Sequence, residues 1–485
     1  MRKTKIVATL GPATDDPEVL KNMIQSGLDV ARINLSHGTH EEQLQRVTVL
    51  REVCNELGTT VALLGDTKGP EIRIGTFKEK IVELIAGNTF VLTTEPVEGD
   101  VSRVSITYVD LPKYVNTGAR ILLDDGLIEL AVESVSSSAI TTRVVIGGKV
   151  SNRKGVNIPG VKLDMPFISA ADRADLRFFV ENDFDIIAAS FVRSPDDVTE
   201  MRNELARINP KNKIWIIAKI ENEEGVRNID AILKLADGIM IARGDLGVEV
   251  AHEELPIIQK NLIMKSVTNG KPVITATQMM ESMVNNPKPT RAETSDVANA
   301  IYDGTSAIML SGETATGRYP AEALEVMARI AVRIERDIDY PTQFNHFNHK
   351  PESSITNAIS HATVTTSHDL QNAKILTVTL SGNTARNLAK FRPASTIIAC
   401  TPDPMVQRKL RLIWGVVPLH TEWETDTGAL FSHSVDAASE AGFVKTGDIV
   451  VLTAGIPVGH TGTTNMLKVH VIGEKILSAQ DFTFK

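Results

Sequence analysis

Eight short apolar runs, met in order and mostly separated by helical patterns, constrain this 485-residue chain more than any other feature. They lie at KIVATL (5–10), LDVARINL (28–35), VALLGD (61–66) and DIIAASFV (185–192), then at IWIIAKIE (214–221), DGIMIAR (237–243), PVITATQ (272–278) and SAIMLSG (306–312). Each is continuous in Val, Ile, Leu and Ala rather than alternating. That is how a strand reads when both its faces are buried, as in a parallel sheet covered by helices. Between the runs the period is helical. Ile258, Leu262, Ile263 and Val267 share one face of a segment from Leu255 to Asn269, and Pro320 opens another that reaches about Ile338. Eight β-α units point to a closed (β/α)8 barrel, an α/β fold; an open doubly wound sheet is the alternative that counting leaves.

The rhythm breaks once. The stretch between the third and fourth runs far exceeds a normal βα loop. Its segments KIVELIAG, TFVLTTEP, ARILLDDG, IELAVESV and AITTRVVIGG read as short strands with Gly, Asn and Asp turns. We expect a small inserted β-barrel domain over 70–165. A loop that follows a barrel strand emerges on the face where active sites are built, so a domain there can close as a lid. The polar stretch YPTQFNHFNHKPESS (340–354) reads as a linker. Beyond it, KILTVTL (374–380), STIIACT (395–401), GVVPLH (415–420), DIVVLTA (448–454) and LKVHVIG (467–473) read as a C-terminal α/β domain with an open sheet. The expected division is 1–69 with 166–340 for the barrel, 70–165 for the lid and 341–485 for the third domain.

Composition narrows the function. Asp and Glu (60) outnumber Lys and Arg (51), giving −9, so no basic stripe for nucleic acid is expected. No apolar run approaches the roughly 20 residues that span a bilayer, and Gly11-Pro12 breaks the short apolar opening, unlike a signal peptide. The two cysteines, Cys54 and Cys400, form no CxxC pair, which excludes a disulfide framework and fits a reducing cytoplasm. Neither GxxxxGK[ST] nor a strand-linked GxGxxG occurs, so any nucleotide is held by other means.

The chemistry should sit where the strands end. Strand two ends in Asn34, Ser36 and His37, and strand three in Asp66, Thr67 and Lys68. Strand five carries Lys219, Glu221 and Asn222, strand six Arg243 and Asp245, strand seven Thr277 and Gln278, strand eight Ser311 and Glu313. Singly, such residues cap helices; six strands contributing at one end make a site. Lys219 follows IWIIA, so it is buried and needs acids or a bound anion. Glu221, two residues on, faces the same side. A structural ion pair and a charge site for an anionic substrate both fit. Glu221 and Asp245 come from adjacent strands and suit Mg²⁺ or Mn²⁺, with a hydrogen-bonded acid couple as the alternative. Arg32, Arg73, Lys154 and Arg243 are the cations available for phosphate or carboxylate. In the third domain, LSGNTAR (380–386) and GHTGTTN (459–465) are phosphate-binding loops or ordinary turns.

Nine segments then become recognisable: KIVATLGPAT (5–14), ARINLSHG (31–38), DTKGPEIR (66–73), KGVNIPG (154–160), AKIEN (218–222), IMIARGDLGVE (239–249), TATQMMESM (275–283), PTRAETSDVANAI (289–301) and MLSGETATGRYP (309–320). In this order, over almost the whole chain, they closely resemble the pyruvate kinase family. The resemblance implies a barrel with a β-barrel lid and a regulatory C-terminal domain, and phosphoryl transfer from phosphoenolpyruvate to ADP, giving pyruvate and ATP. It implies Glu221 and Asp245 as Mg²⁺ ligands, and Lys219 over the transferring phosphoryl group. It implies Thr277 beside the enolate, Arg32 on the substrate phosphate, and Gly244 and Asp245 at the substrate carboxylate. Arg73, Lys154, Asn34 and His37 match nucleotide contacts, and Asn34, Ser36, Asp66 and Thr67 match a K⁺ site. Members with Glu at the place of Glu71 depend on potassium, whereas those with Lys do not. Ser381, Asn383, Thr384 and Thr463 match contacts for a phosphorylated effector, whether fructose 1,6-bisphosphate, another sugar phosphate or AMP. The resemblance further implies a cytoplasmic homotetramer of the short bacterial form, without the leading segment of animal members or the extra C-terminal domain of some bacterial ones. A different metal-dependent barrel acting on pyruvate enolates, such as an aldolase or phosphonomutase, and a sensor without turnover are the competing functions.

Overall fold

The computed structural model describes residues 1–347, 354–457, 462 and 464–476. Eight parallel strands close into a barrel: Lys5–Thr9, Val30–Asn34, Ala62–Asp66, Ile186–Ala189, Trp215–Ile220, Gly238–Ala242, Val273–Ala276 and Ala307–Leu310. Along each strand the two faces bury against different partners. Val7, Leu64, Ala188, Ile217, Met240 and Ile274 fill the barrel interior, while Ile6, Leu63, Ile187, Ile216 and Ile239 pack on the outer helices. This double burial is why the runs read as unbroken. Close packing sets one position absolutely: a Cβ on Gly65 would stand 2.4 Å from the Phe179 ring, so only glycine lets the helix Ala170–Glu181 lie on the third strand.

The insertion is all β. A six-stranded sheet (Val156–Asn157, Arg120–Leu123, Ile128–Val135, Ala139–Ile146, Thr89–Thr93, Arg103–Ser105) and a two-stranded one (Gly148–Ser151 with Ile81–Leu84) enclose a core including Phe90, Leu92, Ile121 and Leu130. Three of these strands, Arg103–Ser105, Gly148–Ser151 and Val156–Asn157, are too short to register as a sequence pattern. Both connectors of the insertion meet at one carboxylate. Asp172 accepts from the Gly69 N–H through Oδ1 (3.1 Å) and from the Ser169 N–H through Oδ2 (2.9 Å). Arg193 donates to the returning connector at the carbonyls of Leu163 (3.3 Å) and Met165 (3.1 Å).

The C-terminal domain is a five-stranded sheet in the order Val416–His420, Ile397–Thr401, Lys374–Val378, Ile449–Gly455, Thr464–Val471, of which the last is antiparallel. The stretch expected to be a linker is in part a helix, Tyr340–Phe347. Asp339 caps it, accepting from the Thr342 N–H (3.2 Å) and hydroxyl (2.7 Å), and Tyr340 and Phe344 pack on the rings of Trp414 and Phe391. Polar composition concealed a local cap and two aromatic anchors. The domain sits on the amino-terminal floor of the barrel. One apolar cluster runs from the barrel interior through Trp215 to Ile375, Leu388 and Ile413. Lys5 Nζ donates to the Val416 carbonyl (2.8 Å), and Arg408 Nε to Asp185 Oδ1 (2.9 Å).

Candidate active site

The strand ends carry a continuous ion chain. Arg32, at the end of the second strand, donates to Thr9 Oγ1 (2.9 Å) and grips Asp66 Oδ2 through Nε (2.7 Å) and Nη2 (2.6 Å). Asp66 Oδ1 lies 3.1 Å from Lys219 Nζ, which also contacts Ser190 Oγ (2.7 Å) and Glu221 Oε1 (3.0 Å). Asp66 is fully buried and Glu221 is 1% exposed. Burial opposes charge on Asp66, yet Lys219 and Arg32 outweigh it and hold the carboxyl below its usual range. Burial likewise opposes the Lys219 ammonium, and Asp66 and Glu221 outweigh it, keeping the lysine charged.

The second acid pair is less compensated. Burial pushes Glu221 up to about 7 against the pull of Lys219, and Asp245 repels it further. Burial also raises Asp245, with Asp125 and Glu71 of the lid adding repulsion. The Phe191 N–H donates to Glu221 Oε2 at 2.6 Å. Among the described residues, no group of three or more His, Cys, Asp or Glu is arranged to hold a metal. Glu221 and Asp245 stand within hydrogen-bonding reach of each other, a two-carboxylate set. A cavity of about 400 Å³ opens beside them between lid and barrel, with Glu71 and Asp125 on one wall and Phe191, Asn222, Asp245 and Glu249 on the other.

Backbone strain clusters at the same rim. Phe191, Thr277 and Gln278 adopt φ of +55°, +68° and +55°, a left-handed conformation that costs about 1–3 kcal/mol at a non-glycine residue. The Thr277 hydroxyl accepts from the Gly244 N–H (2.8 Å) and donates to the Ala276 carbonyl (2.6 Å). Arg243 is directed elsewhere than an incoming anion. It binds Asp296 (2.8 Å) and the Thr277 carbonyl (2.7 Å), so it braces the strained turn instead of gripping phosphate or carboxylate. Glu313 likewise fastens loops, accepting from the N–H groups of Ser311 (2.7 Å) and Met280 (3.1 Å).

The remaining expected residues divide by place. Asn34 and Asp66 are register partners across strands two and three, Ser36 N–H donates to Asn34 Oδ1 (3.1 Å), and Thr67 Oγ1 accepts from Ser190 N–H (3.1 Å). Ser36 and His37 are exposed. On the lid, Arg73 is paired with Glu71 (2.7 Å) and Lys154 with Asp124 (2.8 Å). In the C-terminal domain, Ser381 and Asn383 flank Gly382, and Thr384 Oγ1 meets Thr464 Oγ1 at 2.8 Å. Thr463 lies outside the described residues. Thr9 and Ser190 are rim residues that the strand-end reading passed over. Both stand at or just after the carboxyl ends of strands one and four, where the same rule would have found them.

A closed (β/α)8 barrel that gathers a lysine, an arginine and two acids beneath a β lid has the make-up of a barrel enzyme for an anionic substrate. Comparison with known proteins narrows this. A family model for the pyruvate kinase barrel domain matches residues 1–324, and one for the pyruvate kinase alpha/beta domain matches residues 357–470. The chain is 50% identical over 481 residues to the pyruvate kinase of Geobacillus stearothermophilus, covering 99% of this chain and 82% of that one. It is 47% identical over 482 residues to that of Staphylococcus aureus strain MRSA252, again with 99% and 82% covered. A crystal structure of a pyruvate kinase from Cryptosporidium parvum superposes with a TM-score of 0.92 at 38% identity, covering 97% of this chain and 96% of that one. The chain belongs to the pyruvate kinase family. It is an enzyme of the phosphoryl transfer that takes phosphoenolpyruvate to pyruvate.

Proposed function

We propose that this chain transfers the phosphoryl group of phosphoenolpyruvate to ADP at the rim described above, and then protonates the enolate. The observation that carries the reading is the convergence of Arg32, Lys219 and Glu221 around Asp66, next to Asp245. Arg32 has five N–H donors, of which Asp66 and Thr9 engage three, so two remain for the substrate phosphate. Lys219 places a fixed positive charge where negative charge builds in the transition state. The backbone N–H groups of Gly244 and Asp245 position the substrate carboxylate, the first by exchanging its Thr277 acceptor for it. Thr277 holds the proton-delivering water on the enolate face. Arg73 and Lys154 exchange their lid acids for nucleotide phosphates when the lid closes, with Asn34 and His37 on the barrel side. ADP-dependent pyruvate formation in a coupled assay tests this; turnover without a nucleoside diphosphate would favour an aldolase or mutase.

The residues fit a divalent cation. Buried Glu221 and half-buried Asp245 are both held above their usual range even with Lys219 beside them, and two protein ligands leave places for water and substrate oxygens. Bound there, Mg²⁺ or Mn²⁺ would supply Lewis-acid polarisation of substrate oxygens. Glu221→Gln is expected to raise the Mg²⁺ concentration for half-maximal rate at least about tenfold, a loss of roughly 1.4 kcal/mol in affinity. A titration of rate against Mg²⁺ checks it.

Asn34, Ser36, Asp66 and Thr67 offer oxygen donors for K⁺. Glu71, on the cavity wall, leaves that region short of positive charge. We expect replacement of K⁺ by tetramethylammonium to lower kcat about tenfold or more, some 1.4 kcal/mol of barrier. Glu71→Lys should remove most of that dependence. Full turnover without K⁺ or NH₄⁺ would count against the assignment.

Ser381, Asn383, Thr384 and Thr463 are assigned to a phosphorylated effector, and the working enzyme to a cytoplasmic homotetramer. The contact of Thr384, on the helix after the first loop, with Thr464, at the start of the last strand, supports the effector assignment.

A further inference from the structure

The helix Arg243–Glu249 has different neighbours at its two ends. Its first turn carries Gly244 and Asp245 at the rim, where Thr277 Oγ1 accepts from the Gly244 N–H (2.8 Å). Leu246, fully buried, anchors the middle in the barrel core. The last turn faces the lid. Asn157 Nδ2, from the strand Val156–Asn157, donates to Glu249 Oε1 at 3.2 Å. Beside it the lid turn 124–126 lies against Val248, where a Cβ on Gly126 would stand 3.6 Å from Val248 Cγ1. Asp245 and Glu249 are about one helical turn apart, roughly 6 Å along the axis.

The corner of the lid that meets this helix carries both cations assigned to nucleotide phosphates. Lys154 precedes Asn157 by less than one strand's length and pairs with Asp124 of the same turn (2.8 Å). Arg73 bridges to Gly155 in antiparallel fashion, and its Nη1 donates to the Arg153 carbonyl (2.9 Å). Val156 and Asn157 are register partners of Leu123 and Leu122, which lead into the turn. Strand, turn and cations are thus one hydrogen-bonded unit. Glu249 is well suited to hold it. Burial keeps its carboxyl above the usual range against the Asn157 hydrogen bond, and Glu223 adds repulsion. A carboxylate in that setting gains from a donor and gives it a strong, charged acceptor.

We propose that Glu249 is a positioning residue for phosphoryl transfer, a latch that holds Asn157 so that the lid corner bearing Arg73 and Lys154 is set at a fixed distance from Asp245. This rests on the roles given above to Arg73, Lys154 and Asp245. Glu249 contacts neither substrate nor nucleotide in this role. It acts through Asn157 on one side and through its own helix on the other, so that nucleotide capture is registered on the end of the helix that serves phosphoenolpyruvate.

A double-mutant cycle in the coupled pyruvate assay tests the latch. Glu249→Ala and Asn157→Ala should each lower kcat/KM for ADP by about tenfold, the effect of losing one hydrogen bond to a charged group. The double variant should lose no more than either single one, because both remove the same contact. Glu249→Gln, which keeps an acceptor for Asn157, should stay within about threefold of the parent. Phosphoenolpyruvate affinity, titrated without ADP, should stay within about twofold in all four. Losses that multiply to about a hundredfold in the double variant overturn the proposal, as does a kcat/KM for ADP that neither single variant changes. A purely structural role would lower the melting temperature and weaken phosphoenolpyruvate and ADP alike, and that pattern also overturns it. Should Glu249→Ala not fold, Asn157→Ala against Glu249→Gln gives the same comparison. The parent's own ADP-dependent turnover tests the reading of the rim; a parent that turns over while the cycle is additive removes the latch alone.

Discussion

Replacing Lys219 by methionine is expected to lower kcat by about 10³–10⁵-fold, the range lost when a cation that neutralises transition-state charge in phosphoryl transfer is removed. Methionine keeps much of the volume and flexibility of the lysine stem, so the largely buried position stays filled. What disappears is the ammonium that Asp66 and Glu221 hold in its charged state. Phosphoenolpyruvate affinity should change far less than kcat, because Arg32 remains in place. Steady-state kinetics with isothermal titration of phosphoenolpyruvate separates the two quantities. A variant that retains kcat within tenfold would remove Lys219 from the chemistry and leave it as a structural ion pair. The melting temperature must be recorded alongside. Removing the cation leaves Asp66 with Arg32 as its one remaining charged partner and Glu221 beside Asp245 with none.

Thr277→Ala should lower kcat by about 10²–10⁴-fold, the usual contribution of a positioned proton-transfer group, while Thr277→Ser should stay within about threefold of the parent. The pair is informative because of the backbone. Position 277 is held at φ +68°, and alanine and serine bear that conformation at similar cost, so the two variants differ chiefly in the hydroxyl. Loss of the hydroxyl also leaves the Gly244 N–H without its acceptor. A fall in KM-related binding with kcat intact would mean that Thr277 serves only to orient Gly244 for the substrate carboxylate.

The barrel was readable in the sequence for one physical reason. Parallel strands covered on both faces leave unbroken Val, Ile and Leu runs, and Lys5–Thr9 through Ala307–Leu310 all coincide with such runs. The insertion was readable as β, but strands of two to four residues such as Val156–Asn157 and Gly148–Ser151 depend on their partners rather than on their own composition. Strand ends located the rim, yet the orientation of a side chain is a tertiary property. Arg243 sits in a motif full of functional residues and still turns to Asp296 on a helix some fifty positions away. Asp66 could be placed at the rim; that it joins Arg32 to Lys219 requires strands two, three and five to be assembled.

The double hold of Asp172 on Gly69 and Ser169 has a kinematic consequence. Entry and exit of the insertion share this anchor, and Arg193 adds a second hold on the returning connector at Leu163 and Met165. In the proposed lid closure, a pivot at Asp172 would carry Arg73 and Lys154 toward the rim together. Loosening that pivot with Asp172→Ala would let the two cations arrive out of step, and nucleotide capture would lose its concertedness before the chemistry itself was touched.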